Sequence, residues 1–191
     1  MSNAGRDALV AMLSRLKNDL ASVNLSKPDV ARATLHSKYP PSGDYMLEVR
    51  RLCQRGIDEG WLSAAAASSA PNRSLRISPH SKYFPFAVEI THLSGEGQGH
   101  GHPKGEIAVG WAVDGNPRFC GSDPGWMVFA PGTKHVPLVK GGSMFLLHFL
   151  PGGQIDWDAK VKAAAPRGSA MLANAPRQAP PARAARRASA R

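Results

Sequence analysis

With 191 residues, 42% of them apolar, the chain is long enough for one domain with a real core and too short for two large ones. No run of about 18 apolar residues exists, which excludes a membrane-spanning helix; the start lacks a signal peptide's unbroken apolar stretch, and Asp7 and Asp19 argue against a transit peptide, so a cytoplasmic protein is expected. The net charge of +10 is localised: residues 159–191 hold eight Lys and Arg and no acid, leaving 16 basic against 14 acidic groups in the body, which excludes a basic nucleic-acid-binding core.

In chain order, Leu9, Leu13, Leu16 and Leu20 recur at spacings of three and four and predict one apolar helical face. Ser26, Pro28 and Asp29 then read as an N-cap, a first-turn proline and a capping-box acid for a short helix ending near "KYPPSG". A third helix is predicted from about Asp44 to Glu59, with Met46, Val49, Leu52, Cys53 and Ile57 as its stripe and Gly60 as its C-terminal cap. "KYPPSG" is long and stiff for the turn of a DNA-binding helix pair, and Asp44 and Glu48 would place acids at the DNA end. Residues 1–63 thus form a helical segment expected to pack on the rest, and "SAAAASSAPN" reads as a linker. Cys53 and Cys120 are the only cysteines, too few for a disulfide framework or a thiolate metal site, and both are expected to be buried and reduced.

From Leu75 the texture changes to short apolar runs between Gly, Pro and Asp turns, such as "FPFAVEITHL", "EIAVGWAVDG" and "SMFLLHFLPGG". This predicts a closed antiparallel sandwich or barrel over residues 74–158. The remaining 159–191, rich in Ala, Pro and Arg, has too few large apolar side chains to offset its ordering entropy and is expected to be disordered. Its arginines allow weak, salt-sensitive contacts with nucleic acid, but no aromatic is interleaved to stack on bases.

Within the β region, "GHGHPKGEI" sets His100, His102 and Glu106 close together. On a strand the two histidines share a face, and Glu106 can return to that side across "PKG". Imidazoles and a carboxylate so spaced suit a divalent metal, and His135, after the turn in "APGTKH", is a candidate further ligand.

These residues resemble the two signature motifs of the cupin superfamily. "HGHPKGE" matches the first, while "PGTKH" departs from the second in placing proline directly before glycine, and Val139 stands where an asparagine is common. The resemblance implies a jelly-roll β-barrel with His100, His102, Glu106 and His135 as ligands to Fe(II), Mn(II), Ni(II) or Zn(II). A barrel that keeps these groups as hydrogen-bonded polar residues without metal is the alternative.

A narrower resemblance, carried by "HPKGEI", "GNPRFCG", "PGWMVFAPGTKHVPLVKGG", "FLPGG" and the leader ending in "CQRGIDEGWL", is to the 4-hydroxylaminobenzoate lyase family of bacterial nitrobenzoate degradation. It implies conversion of a hydroxylamino-aromatic acid to 3,4-dihydroxybenzoate (protocatechuate) with release of ammonia. Glu106, His102 and His148 are the expected catalytic groups. Such a substrate needs apolar walls, for which Phe129, Met127, Phe86 and Leu146 are candidates, and a cation for its carboxylate, for which Arg76, Arg118 and Lys134 are. Another metal-dependent cupin enzyme, a dioxygenase or isomerase, and a non-catalytic small-ligand-binding cupin are the competing classes. Trp111 has odd parity relative to Glu106 and is expected outside the barrel, against the helices or a second subunit, which makes a homodimer the expected assembly.

Overall fold

The computed structural model describes residues 4–61, the backbone of 73–78, and residues 85–159 and 161. The predicted linker and nearly all of the basic tail lie outside the described residues.

Three helices open the chain: α1 (Ala4–Ser22), α2 (Pro28–Lys38) and α3 (Asp44–Asp58). Their apolar stripes are the predicted ones, with Leu9, Leu13, Leu16 and Leu20 buried on α1 and Met46, Val49, Leu52 and Cys53 on α3. Gly60, at φ +76°, takes the left-handed position just past α3. The α2 start differs from expectation. Lys27, not Ser26, is the N-cap residue and makes no side-chain cap, because its ammonium has no acceptor to offer the first-turn N–H groups; Ser26 lies in the preceding turn, its N–H held by Asn24 Oδ1 at 2.9 Å.

Seven strands follow: β1 (Arg73–Ser78), β2 (Phe86–Glu96), β3 (His100–His102), β4 (Glu106–Phe119), β5 (Gly125–Phe129), β6 (Thr133–His135) and β7 (Leu138–Pro151). All pairings are antiparallel, in a five-stranded sheet ordered β1-β2-β7-β4-β5 and a two-stranded sheet of β3 and β6. The fold is therefore mainly β, with a helical N-terminal segment, as the sequence predicts.

Side chains alternate across a strand, and here both faces of the large sheet are covered. One face sends Val88, Ile90, Ile107, Val109, Phe145, Leu147 and Phe149 into a core shared with the helices. The other carries Leu93, Ala108, Met127, Met144 and Leu146 in a second, smaller core. Double coverage explains why the first six residues of β4 are all buried and why the five after Glu106 read as an unbroken run without a polar side chain. Gly110 lets the inner core pack down onto the sheet, since a Cβ there would stand 2.5 Å from Met144 Cε and 2.9 Å from Leu146 Cδ2.

The "KYPPSG" turn docks the helical layer. Trp111 Nε1–H donates to the Pro41 carbonyl at 2.9 Å, and Trp126 Nε1–H to the Tyr39 carbonyl at 2.7 Å, so each buried indole has its partner. Trp111 thus lies on the helix side, as its parity predicts. Phe86, a candidate ring wall, belongs to this helix-facing core instead, because it shares parity with Val88 and Ile90. Cys53 is buried, but Cys120 is exposed, contrary to expectation, since it sits at φ +48° in the turn that ends β4.

The helices are also tied to one another by polar contacts. Asp19 accepts from Lys38 Nζ at 2.6 Å and from Tyr39 Oη at 2.5 Å, and these bonds hold its carboxyl below the usual carboxylate range. A folded pKa below the unfolded one adds stability that is full above the unfolded value, about 3.9, and is lost as pH falls toward the folded one. Asp19→Asn should therefore flatten the acid limb of the melting-temperature profile below about pH 4 while changing its neutral plateau little. An acid limb identical to wild type would contradict this coupling.

Candidate active site

The site is assembled where the small sheet faces the inner side of the large one. In the β3–β6 ladder His100 pairs with His135 and His102 with Thr133, so all three imidazoles project from one face. The turn after β3 returns the chain to the large sheet. Gly105 N–H donates to the His102 carbonyl at 3.0 Å, and Gly132 N–H, from the turn before β6, donates to the same oxygen at 2.8 Å. One carbonyl thereby fixes both turns. Gly105, at φ +81°, has no room for a side chain, as a Cβ would stand 2.7 Å from the Phe129 carbonyl oxygen.

The next residue, Glu106, opens β4 with its side chain on the inner face, only 2% exposed. Its Oε2 lies 3.0 Å from His102 Nε2, and its Oε1 accepts a hydrogen bond from His148 Nδ1–H on β7. His102 Nε2 is in turn 3.1 Å from His135 Nε2. Burial alone would raise the Glu106 carboxyl, but the neighbouring His148, its hydrogen bond and the adjacent His102 outweigh it and hold the group well below the usual carboxylate range. Burial lowers both other histidines: His100 is shifted down, and His135 is lowered to about 4, with His102, His100 and His148 adding to the effect of burial. Neutral imidazoles are the ligand form.

Several observations test whether these residues fit a metal ion. One nitrogen from each of His100, His102 and His135 lies within 4.8 Å of the others. Two donors at about 2.1 Å from a common ion and roughly 90–110° apart stand ~3.0–3.4 Å from each other, which the 3.0 and 3.1 Å contacts at His102 Nε2 match. His100 Nδ1–H donates to the Gln98 carbonyl at 2.8 Å, leaving Nε2 as the ligand atom. Glu106 Oε2 is fully buried without a hydrogen-bond partner, an arrangement that a cation would satisfy. The donor set fits a divalent transition metal. Phe129 packs behind the imidazoles, with its ring 4.7 Å from that of His135, and Cys120 Sγ approaches His135 Nδ1 at 3.8 Å.

A cavity of about 350 Å³ opens beside these groups. His100, His102, Glu106 and His148 form its polar end, and Leu93, Phe119, Leu146, Leu150, Ile155 and Trp157 supply apolar wall. Glu89 and Thr91 of β2 also reach it.

The sequence-predicted residues divide clearly. His100, His102, Glu106, His135 and His148 are brought together, and Leu146 is a wall. Met127 fills the inner core, and Phe129 backs the histidines, so neither lines the cavity. Arg118 does not reach it: at the far end of β4 its exposed guanidinium pairs with Asp123 at 3.0 Å. Lys134 is exposed, on the opposite face of β6 from His135. Arg76 stands opposite Glu89 in the β1–β2 ladder, and its side chain lies outside the described residues. Glu89, Thr91, Ile155 and Trp157 are absent from the sequence expectation. The alternation Glu89, Thr91, Leu93 against Val88, Ile90 carried a signal for the first two.

Known proteins share much of this chain. The family described as 4-hydroxylaminobenzoate lyase matches residues 14–157. The chain is similar to a 4-hydroxylaminobenzoate lyase of Nocardioides sp. (strain LMS-CY), 28% identical over 163 residues that cover 80% of this chain and 92% of the relative. It is also similar to a 4-hydroxylaminobenzoate lyase of Pseudomonas putida, 26% identical over 178 residues that cover 82% and 98% respectively. Among solved structures, an RmlC-like cupin protein from Ralstonia eutropha aligns with 55% of this chain and 80% of its own, at 13% identity and a TM-score of 0.31.

If the imidazole cluster is a metal centre, protein purified without chelator should carry close to one transition metal per chain. His102→Ala, which removes the nitrogen touching both Glu106 and His135, should lose most of it. Metal content unchanged by that substitution, measured by elemental analysis, would remove His102 from the ligand set.

Proposed function

The chain belongs to the 4-hydroxylaminobenzoate lyase family, and from that premise we propose that it converts 4-hydroxylaminobenzoate, or a close analogue, to 3,4-dihydroxybenzoate and ammonia. The observation that carries the reading is the Glu106–His148 pair: a buried proton-holding couple joined to an imidazole cluster at one end of a cavity that is otherwise apolar.

The chemistry sets the demands. The N–O bond must break with loss of a poor leaving group, hydroxide, so the departing oxygen has to gain a proton or a Lewis acid. Loss of that oxygen leaves the ring electrophilic, a water adds at the carbon beside the nitrogen-bearing one, and a second water replaces the imine nitrogen. One water is consumed overall, and the redox change is internal to the substrate, so no oxidant is required.

His100, His102 and His135, with Glu106 beside them, would hold a divalent metal, which supplies Lewis-acid polarisation of the hydroxylamine oxygen when bound. His148 holds a proton at Nδ1 against Glu106 Oε1, which fixes its tautomer and leaves Nε2 to exchange protons with the leaving oxygen or the entering water. Leu146, Leu150 and Phe119 exclude water from the ring faces. Arg76, in register with the cavity-lining Glu89, is our candidate for orienting the substrate carboxylate.

Mixing metal-replete protein anaerobically with 4-hydroxylaminobenzoate should release ammonia and 3,4-dihydroxybenzoate in equal amounts. Folded, metal-replete protein that releases no ammonia would defeat the reading, and a requirement for oxygen would favour a dioxygenase. His148→Gln should lower kcat by about 10²–10⁴-fold while metal content stays near wild type. Arg76→Gln should instead act mainly on KM; a kcat loss with KM unchanged would separate Arg76 from substrate binding.

A further inference from the structure

The segment that follows β7 folds back over the site. Gly152 and Gly153, at φ +63° and +66°, turn the chain, and Gly153 N–H closes the turn on the Leu150 carbonyl at 2.9 Å. The chain then runs back alongside β3. Gly101 N–H donates to the Asp156 carbonyl at 2.8 Å, and Asp156 N–H to the Gly101 carbonyl at 2.9 Å, a reciprocal antiparallel bridge to the residue between His100 and His102. Gly101 permits the close approach, since a Cβ there would stand 3.3 Å from Ala159 Cβ and 3.5 Å from Asp156 Cβ.

With Asp156 fixed by that bridge, its neighbours Ile155 and Trp157 both line the cavity. The Trp157 ring lies 4.9 Å from the His100 ring yet is 51% exposed, bulkier than any other exposed apolar side chain among the described residues. A wide, stiff aromatic surface held at a cavity mouth by backbone hydrogen bonds, and left half in water, gains by covering a flat ligand. Among the described residues no other Phe, Tyr or Trp lining the cavity is comparably exposed, because Phe119 is buried at 1%.

We propose that Trp157 is a specificity-determining residue that stacks on the aromatic ring of the substrate, and that residues 154–158 are the strap that seats it beside the imidazole cluster. This rests on the lyase reading only in taking the ligand to be a planar benzoate. Beyond the strap the chain stays against the β3 segment: a Cβ on Gly101 would stand 3.3 Å from Ala159 Cβ, and one on Gly99 3.3 Å from Val161 Cβ.

The test compares wild type, Trp157→Ala and Trp157→Phe, each checked for metal content and melting temperature. Binding of unreactive 4-nitrobenzoate, and of cyclohexanecarboxylate as a ring that cannot stack, is measured by equilibrium dialysis. Trp157→Ala should weaken 4-nitrobenzoate roughly tenfold or more and cyclohexanecarboxylate much less, whereas Trp157→Phe should stay within about threefold of wild type. Undiminished 4-nitrobenzoate binding by Trp157→Ala, an equal loss for both ligands, a loss accompanied by metal depletion, or no binding by wild type would each overturn the proposal. The two readings fail separately. Trp157-dependent binding without ammonia release sinks the lyase reading and keeps the strap. Ammonia release by wild type with unaltered binding by Trp157→Ala does the reverse.

Discussion

The register between β4 and β7 is the constraint from which the rest follows. Ile107 faces Phe149, Ala108 faces His148 and Val109 faces Leu147, so successive rungs alternate between the helix-packed face and the cavity face. A slip of one residue would exchange the faces. Glu106 and His148 would then be pressed against the leucines of α1, and the apolar residues that hold the helices would fill the cavity. Burying a carboxylate without partners costs far more than a marginally stable domain can tolerate. The same alternation that seats the helices therefore aims the chemistry, and neither can be changed without the other.

Glu106 shows how such a group survives in the interior. Two histidines reach it from different elements, His102 from the small sheet and His148 from the middle of the large one. The His148 hydrogen bond and the nearness of both imidazoles offset its desolvation. The compensation is incomplete, because Glu106 Oε2 and His102 Nδ1 are both buried without hydrogen-bond partners. Unsatisfied polar atoms concentrated at one spot in an otherwise apolar interior are what a ligand-binding site looks like before its ligand is considered.

How much of this was legible in the sequence depended on the range of the signal. Three of the four ligand-type residues were readable because their spacing is local: parity places His100 and His102 together, and a Gly-containing turn returns Glu106, whereas His135, distant in sequence, was reached through the turn before it and the second family motif. The helical stripes were equally local. Their strength came from period, which is why the apolar faces of α1 and α3 matched while the α2 cap, which depends on a one-residue difference in where the helix starts, did not. The ring wall was harder, since residue type says only that a large apolar side chain is buried, and Phe86, Met127 and Phe129 all are wholly or partly, yet Phe86 lies in the helix-facing core and the other two in the inner one. Arg118 failed for another reason: its fate was set by Asp123, a neighbour across a turn. Trp157 left only a faint mark, an isolated aromatic in "QIDWD" just before a low-complexity tail, because its position depends on the distant Gly101.

The small sheet explains why the site needs all these supports. Strands of three residues, His100–His102 and Thr133–His135, make a ladder too short to be stable by itself. It is held by the two turns that converge on the His102 carbonyl, by the Asp156 bridge on its outer edge, and by Phe129 behind the imidazole rings. Three candidate ligands sit on this small sheet and the fourth, Glu106, on the large one. An ion shared among them would cross-link the two sheets, so its binding free energy would also be stabilisation of the small sheet. The cavity lies between those same sheets. Coordination, the seating of the strap and the shape offered to a substrate are therefore parts of one mechanical unit, with Gly101 and Glu106 at its two ends.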